Sequence, residues 1–183
     1  MKKVHRYDDI RPLFTSQNIR TFADIFKVLN KTPVAQDLGK EKSRFNELIG
    51  SPAGLKLKDI IRLSGLCNLT LPEMGELIEA EHPNIEKDDH KQLDDRYTQI
   101  RPLFESQKIT HFEDIFLRVP KSTVARDIGR KRARFNFLMD HVESFLVKDI
   151  INIGGLCELT LPQMFKLIDA QYARQKNKEA SKT

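Results

Sequence analysis

Residues 34–48 read VAQDLGKEKSRFNEL, and this stretch spaces a small residue, a glycine and two apolar residues in a way that decides the fold. Ala35 allows a second helix to cross closely, and Gly39 supplies the positive φ of a tight turn between helices. Phe45 and Leu48 follow six and nine positions after the glycine and pack the second helix against the first. The spacing therefore predicts two short helices joined by a turn.

The same spacing recurs 90 positions later, at Ala125, Gly129 and Phe135. Without a gap, 37 of the 75 positions in residues 7–81 are identical to their counterparts in residues 97–171. An identity this high identifies an internal duplication. In chain order, the predicted units are copy one at residues 1–84, a charged linker or helix extension at 85–96, copy two at residues 97–174, and a basic flexible tail at 175–183.

Every segment of a copy has helical periodicity, and no stretch alternates apolar and polar residues with the period of a strand. Residues 21–29, for example, place apolar side chains at i, i+3, i+4 and i+7, which is the spacing of one buried helical face. Thr32 and Ser122 are predicted N-caps of the short helices that precede the two glycines. Five or six such helices in each copy predict an all-α fold of two tandem five-to-six-helix domains.

Composition excludes several classes of protein. Hydrophobic residues make up 39% of the chain and charged residues 31%, and no apolar run approaches the roughly 20 residues of a membrane span. Residues 1–9 carry charges without an apolar segment behind them, so they do not predict a secretory signal. Two cysteines outside any metal-type spacing indicate neither a disulfide scaffold nor a zinc site. We therefore expect a cytoplasmic setting and no membrane partner.

Charge is distributed unevenly between the copies. The chain has a net charge of +5, which favours anionic partners. Residues 1–84 carry 13 basic and 11 acidic groups, whereas residues 97–183 carry 15 and 10. The second copy is therefore the more basic, at +5 against +2.

The spacing of Ala35, Gly39 and Phe45 within this run of helices resembles the helix-turn-helix of the lambda-repressor/Cro-type DNA-binding family. The resemblance extends from Phe22 to Ile78 and recurs over the equivalent residues of the second copy. It implies two tandem lambda-repressor-like helix-turn-helix domains. In such a domain the second motif helix enters the major groove, and the first motif helix lies on phosphates.

The sequence departs from the family pattern at two places. The residue after the glycine is usually apolar in the family, and here it is Lys40 or Arg130. The first motif helix of copy one is short and has Pro33 in its first turn. Both departures concern the tilt of the helix pair.

The resemblance implies which residues contact DNA. The recognition helices are expected near residues 40–50 and 130–140. The groove-facing candidates are Lys40, Glu41, Lys42, Ser43, Arg44, Asn46 and Glu47 in copy one and Arg130, Lys131, Arg132, Ala133, Arg134, Asn136 and Phe137 in copy two. The candidates for phosphate contact are Lys31, Thr32, Gln36, Lys121, Ser122 and Arg126. The asparagines could pair bidentately with adenine, and the arginines with guanine.

Other interpretations of the same residues remain open. A charged helix face is often simply solvated, although residues 130–134 carry four cations and no acid, which favours nucleic-acid contact. Glu41 and Glu47 would repel phosphate, so copy one either binds cytosine edges or binds a protein. Arg44 and its counterpart Arg134 could instead form ion pairs with the aspartates of the first motif helix.

No catalytic, metal or cofactor site is predicted. The histidines lack ligand spacing, and no nucleophile–base set, glycine-rich phosphate loop or pair of catalytic carboxylates is present. Cys67 and Cys157 occupy equivalent positions and are expected to be buried free thiols, each inside the core of its own copy. The chain is therefore predicted to be no enzyme and to need no cofactor, and no small-molecule substrate is inferred.

The function expected from the sequence is sequence-selective binding of double-stranded DNA by a nucleoid-associated transcriptional regulator. A flexible linker would let one monomer place its two unlike helices, as a pseudo-dimer, on an asymmetric site. The alternative is an interaction module in which one or both copies bind a protein. RNA binding is a third hypothesis, weakened by the shortage of exposed-looking aromatic residues.

Overall fold

The structure is a computed structural model that describes residues 6–81 and 95–180, with side chains through residue 174. Copy one has six α-helices, namely α1 Ile10–Thr15, α2 Phe22–Val28, α3 Lys31–Asp37, α4 Lys42–Gly50, α5 Leu57–Leu66 and α6 Leu71–Glu81. Copy two has α7 Ile100–Glu105, α8 Lys121–Asp127, α9 Arg132–Asp140, α10 Val147–Leu156 and α11 Leu161–Ala180. Short 3-10 helices lie at Pro52–Gly54, Tyr97–Gln99, Phe112–Leu117 and Val142–Ser144. The described ranges contain no strand, so the all-α prediction is confirmed.

The helix starts follow local hydrogen bonding, and two predicted N-caps are wrong. The N-cap of α3 is Asn30, whose side-chain oxygen accepts from the Thr32 amide at 3.1 Å. Because the Asn30 side chain caps the helix, α3 begins at Lys31 and Thr32 is its second residue. In copy two α8 begins after Pro120, so Ser122 is internal as well.

Helix α6 starts with a pair of reciprocal hydrogen bonds between Thr70 and Glu73. The Thr70 amide donates to Glu73 Oε2 at 2.7 Å, and the Glu73 amide donates back to Thr70 Oγ1 at 3.3 Å. This reciprocal pair satisfies two of the amides that a helix N-terminus leaves unpaired.

Phenylalanine rings form the centre of each copy. Phe26 packs edge-on against Phe22 and Phe45, with ring centroids 5.4 and 5.6 Å apart. In copy two, Phe135 lies 5.7 Å from Phe116 and 5.8 Å from Phe145. Such edge-to-face pairs stabilise beyond the burial of their area. The prediction that Phe45 and Phe135 are core residues is confirmed, since both are buried.

The two copies pack directly against each other through equivalent segments. The Leu57 amide donates to the Phe145 carbonyl at 2.8 Å, and the Val147 amide donates to the Leu55 carbonyl at 2.9 Å. These four residues are two equivalent pairs at the 90-residue offset, so each copy gives and receives the same hydrogen bond. The exchange has the reciprocal pattern of a twofold dimer interface.

Helices α6 and α11 supply the second part of this contact. A Cβ atom at Gly75 would lie 2.9 Å from the Phe165 ring and 3.1 Å from Pro162, so only glycine admits the close approach. Gly75 and Phe165 are equivalent positions, and one ring therefore fills the space that the two copies share.

The two cysteines, the linker and the C-terminal segment were also the subject of predictions from the sequence. Cys67 and Cys157 are buried and free, as predicted, but the buried residues of the two copies form one connected core rather than two. Most of the predicted linker at 85–96 lies outside the described residues. Helix α11 continues through residues 175–180, where the sequence predicts a flexible tail, because this segment contains no glycine or proline. Within the described ranges, no helix has the length and apolar character needed to cross a membrane.

Candidate nucleic-acid interface

The turn between α3 and α4 has the geometry that residues 34–48 predict. Gly39 has a φ of +66°, and its counterpart Gly129 has a φ of +67°. The Lys40 amide donates back to the Ala35 carbonyl at 2.8 Å, and the Arg130 amide donates to Ala125 at 2.7 Å. Because a side chain at positive φ is strained, glycine lets the chain reverse within these few residues.

The buried face of the second helix orients the exposed one. Phe45, Leu48 and Ile49 are buried on α4, and Phe135, Leu138 and Met139 are buried on α9. The remaining side chains of both helices therefore point outward. These exposed residues are Lys42, Ser43, Arg44, Asn46 and Glu47 on α4 and Arg132, Ala133, Arg134, Asn136, Phe137 and Asp140 on α9, with Glu41 and Lys131 exposed at the two N-caps.

Lys40 and Arg130, which the resemblance places in the groove, are turned toward the protein. Lys40 Nζ lies 2.9 Å from Asp59 Oδ2, and these side chains are only 20% and 5% exposed. Arg130 donates from both Nε and Nη2 to Asp149 Oδ1, at 2.9 and 2.7 Å. An ion pair with a buried carboxylate therefore replaces the apolar contact usual at this position in the family.

Each buried aspartate joins two helices. Asp59 Oδ2 also accepts from the Lys56 amide at 3.2 Å, and Asp149 Oδ2 accepts from the Leu146 amide at 3.4 Å. Lys56 and Leu146 are themselves paired across the contact between the copies. The start of each second motif helix is thus connected, through one carboxylate, to the place where the copies meet.

The outward face of α4 is electrically balanced. Arg44 Nη1 donates to Glu47 Oε2 at 2.7 Å, and Ser43 Oγ donates to Glu41 Oε1 at 2.9 Å. The Glu47 and Glu41 carboxylates therefore accept hydrogen bonds from Arg44 and Ser43, two residues to which the resemblance assigns DNA contact. The ion pair is 65% exposed on each side, so it contributes little to stability.

The outward face of α9 is cationic. Lys131, Arg132 and Arg134 are exposed, and the described residues give none of them an acidic partner. The Arg134 guanidinium lies over the Phe137 ring, 4.9 Å from its centroid, and Phe137 is 45% exposed. The His141 ring is 4.6 Å from the same phenyl ring. This face can attract an anionic backbone while offering one flat apolar surface.

The residues expected to contact phosphate lie on the first helices. Lys31, Gln36, Lys121 and Ser122 are exposed, and Thr32 is half-buried. Arg126 is also exposed, but its Nε donates to Asp127 Oδ1 at 2.8 Å.

Arg44 and Arg134 do not pair with the aspartates of the first motif helices, Asp37 and Asp127, so this alternative interpretation of the arginines is wrong. Asp37 accepts from the Tyr7 hydroxyl at 2.5 Å, and Asp127 accepts from the Tyr97 hydroxyl at 2.9 Å. Burial and the contact with Asp37 both raise the pKa of Tyr7, so the phenol remains the donor. Each tyrosine thereby ties the end of a first motif helix to the N-terminal segment of its copy.

The tyrosine–aspartate and cation–aspartate pairs were missed in the sequence. A signal for both is present, because Tyr7 and Asp37 recur together at the 90-residue offset, as do Asp59 and a cation at position 40. Paired recurrence of a donor and an acceptor indicates contact, whereas each residue alone is compatible with a surface position.

Two observations concern metal-ligating and nucleophilic groups in the described ranges. They contain no group of three or more histidine, cysteine or acidic residues that could hold a metal ion. Burial raises the pKa of both Cys67 and Cys157 to about 12, so neither thiol is a nucleophile at neutral pH.

Comparison with protein-family models, with curated proteins and with solved structures finds no match to this chain.

Proposed function

We propose that the protein binds double-stranded DNA sequence-selectively, as a nucleoid-associated transcriptional regulator, and that α9 is its principal contact. The observation that carries this proposal is the outward face of α9. Lys131, Arg132 and Arg134 are exposed there without an acidic partner in the described chain, on the second helix of a glycine-turn pair.

The chemistry of this face suits duplex DNA. Lysine and arginine neutralise phosphates and release counterions, which supplies affinity. Asn136 and Arg134 belong to the residue types that bind adenine and guanine bidentately, and Phe137 offers an apolar contact to a thymine methyl group. Lys40 and Arg130 have the role of anchors that hold the N-termini of α4 and α9.

The packing of the copies supports two coupled contacts in one monomer. Dimeric helix-turn-helix proteins place two recognition helices about one duplex turn apart. The reciprocal Leu57–Phe145 and Val147–Leu55 hydrogen bonds join the two copies within one chain, which supports a single chain presenting both helices. Since α4 and α9 differ at most exposed positions, the proposed target is an asymmetric site with two unlike half-sites.

The test is selection from a random pool of duplex DNA with the full chain. We expect an enriched asymmetric sequence that is bound with a salt-dependent affinity. Replacing Lys131 and Arg132 with alanine should weaken binding at least about tenfold and reduce the salt slope by about two. Lys148→Ala with Lys166→Ala removes the same charge from exposed positions of α10 and α11 and is the matched control.

Failure of the wild-type chain to enrich any duplex would contradict the proposal, as would equal losses in the two double variants. A perfectly palindromic selected site or an obligate dimer would contradict the monomeric pseudo-dimer.

Protein binding is the second candidate function, and the exposure of apolar residues favours it. Phe137 is 45% exposed on α9, and Leu117 is 80% exposed at the end of the preceding 3-10 helix. Aromatic and arginine side chains are the residues that dominate protein interfaces. Selection on duplex DNA decides between the candidates, because a protein-binding α9 enriches no sequence.

A further inference from the structure

A cavity of about 430 Å³ lies where the two copies meet, and no residue of α4 or α9 lines it. Copy one lines it with α5 and the segment that leads into α6. Copy two lines it with Glu143 of a 3-10 helix and with Asp169 and Tyr172 of α11. Its volume is within the range of sites that hold small molecules.

The floor of the cavity is apolar. Ile61, Leu69 and Leu71 lie there, and Gly65 leaves space at one side. A Cβ atom built at Gly65 meets no atom within 4 Å. The floor can therefore accept an apolar group without displacing the protein.

One buried polar atom in the wall has no partner. The Tyr172 hydroxyl is shielded from solvent and makes no hydrogen bond with the described residues. Burial raises the pKa of this phenol, and the neighbouring Glu143 carboxylate raises it further through its charge and as a hydrogen-bond acceptor, although the two groups do not meet ordinary hydrogen-bond geometry. A buried hydroxyl left unpaired destabilises the protein, and a bound polar group would satisfy it.

The two walls have opposite charges. Lys58 and Arg62 project from α5 of copy one, and the described chain gives neither of them an ion pair. Glu143 and Asp169 belong to copy two. The cavity therefore has a cationic side, an anionic side and an apolar floor.

The duplication reproduces only part of this lining, because two of the four charged positions have no charged equivalent. The counterpart of Arg62 is Asn152, and the counterpart of Glu143 is Ala53. Lys58 and Asp169, by contrast, correspond to the like-charged Lys148 and Glu79.

We propose that this cavity binds a small zwitterion with an apolar side chain, namely a free amino acid or a short peptide. The ligand carboxylate faces Lys58 and Arg62, and its ammonium group faces Glu143 and Asp169. The apolar side chain covers the floor, and the Tyr172 hydroxyl bonds to a polar group of the ligand.

Calorimetric titration of the full chain tests the proposal, with the dipeptide Leu-Phe and free phenylalanine as probes. We expect at least one to bind with a dissociation constant of about 10 μM to 1 mM. The N-acetylated, C-amidated form of that probe keeps the apolar side chains and loses both charges, so it should bind at least about tenfold more weakly. No heat from either zwitterion, or equal binding of the blocked form, would overturn the proposal.

Two variants locate the ligand. Gly65→Phe fills the cavity at a helical position that tolerates a side chain, and it should abolish binding. Tyr172→Phe removes only the unpartnered hydroxyl, so affinity should fall about threefold to tenfold while the unfolding midpoint stays equal or rises. A purely structural Tyr172 would lower the midpoint and leave affinity unchanged, and this result would contradict its role.

The control is Lys148→Ala, which changes the copy-two equivalent of Lys58 outside the cavity. It should bind the ligand as the wild type does, whereas Lys58→Ala should lose about threefold in affinity. Equal losses in the two variants would place the ligand elsewhere. All titrations are done without DNA, so failure here and failure of the proposed DNA binding are separate results.

Discussion

Helices α4 and α9 occupy equivalent positions in the two copies, yet they present different surfaces. On α4 the Arg44 guanidinium is paired with Glu47 of the same helix. On α9 the equivalent Arg134 lies over Phe137, and the adjacent cations have no acidic partner in the described chain. The buried halves of the helices are nearly the same. Duplication has thus kept the packing and changed the chemistry of the exposed face.

The anchors beneath the two helices agree in type and differ in strength. Lys40 makes one contact with Asp59, whereas Arg130 donates two hydrogen bonds to Asp149. When one partner of such a buried ion pair is removed, the remaining charge has no partner, and this lowers the stability of the protein. The two copies therefore share a scaffold that can be broken in either of them, whereas the proposed contact face belongs mainly to copy two.

The largest expected effect comes from breaking the anchors. Asp149→Ala should lower the free energy of unfolding by about 2–3 kcal/mol, because Arg130 loses its partner and α10 loses an N-terminal acceptor. Asp59→Ala should cost somewhat less, about 1–2 kcal/mol, because Lys40 makes one contact with its carboxylate where Arg130 makes two, although α5 likewise loses its N-terminal acceptor. Urea unfolding measures both, with the exposed Asp140→Ala as control. A loss no larger than in the control would show that the ion pairs do not hold the helices.

The next effect concerns the turns, where the copies should behave alike. Gly39→Ala and Gly129→Ala each force a side chain into positive φ and should destabilise by about 1–2 kcal/mol. Gly50→Ala, at the end of α4, meets no atom within 4 Å and should be neutral or slightly stabilising. The midpoints of thermal unfolding of the three variants measure these changes in stability. Losses that differ strongly between the two turns would contradict their equivalence.

A smaller effect should follow from making α4 resemble α9. Glu41→Lys introduces the residue found at the equivalent position, Lys131, and removes the carboxylate that holds Ser43. We expect affinity for the selected duplex to rise about twofold to fivefold, with a salt slope larger by about one. Fluorescence anisotropy at several salt concentrations measures both quantities. An unchanged affinity would mean that α4 does not approach DNA.

The smallest contrast is expected at the thiols. Burial raises the pKa of Cys67 and Cys157 alike, to about 12, so little thiolate exists at pH 8. Both should resist thiol reagents in the native protein and react in urea. Rapid native labelling of one cysteine alone would show that its copy opens locally, and the two scaffolds would then differ in stability.

Much of the fold could be predicted from the sequence, since its signals are local or repeated. The glycine turns depend on residues a few positions apart, and the burial of Phe45 and Phe135 follows from a spacing that occurs in both copies. The N-cap at Asn30 was missed because Thr32, two residues on, is an equally good capping type. The contact between the copies could not be predicted, because Gly75 and Phe165 are informative only once α6 and α11 are known to meet.

The candidate site was predictable to a lesser degree. The exposed residues of α9 follow from helical periodicity around Phe135. The inward direction of Lys40 and Arg130 does not follow from it, because it depends on Asp59 and Asp149 of another helix. A charged residue beside a turn is usually assigned to solvent unless its partner is known.

The most direct test of the central claim is the salt dependence of affinity for the selected duplex in two double variants. Lys131→Ala with Arg132→Ala changes the face of copy two, and Lys42→Ala with Arg44→Ala changes the equivalent face of copy one. We predict that the first variant lowers the slope of log affinity against log salt by about two. The second should lower it by less than one, because Arg44 is already paired with Glu47. Equal reductions, or no reduction in either variant, would contradict the claim that α9 is the principal DNA contact.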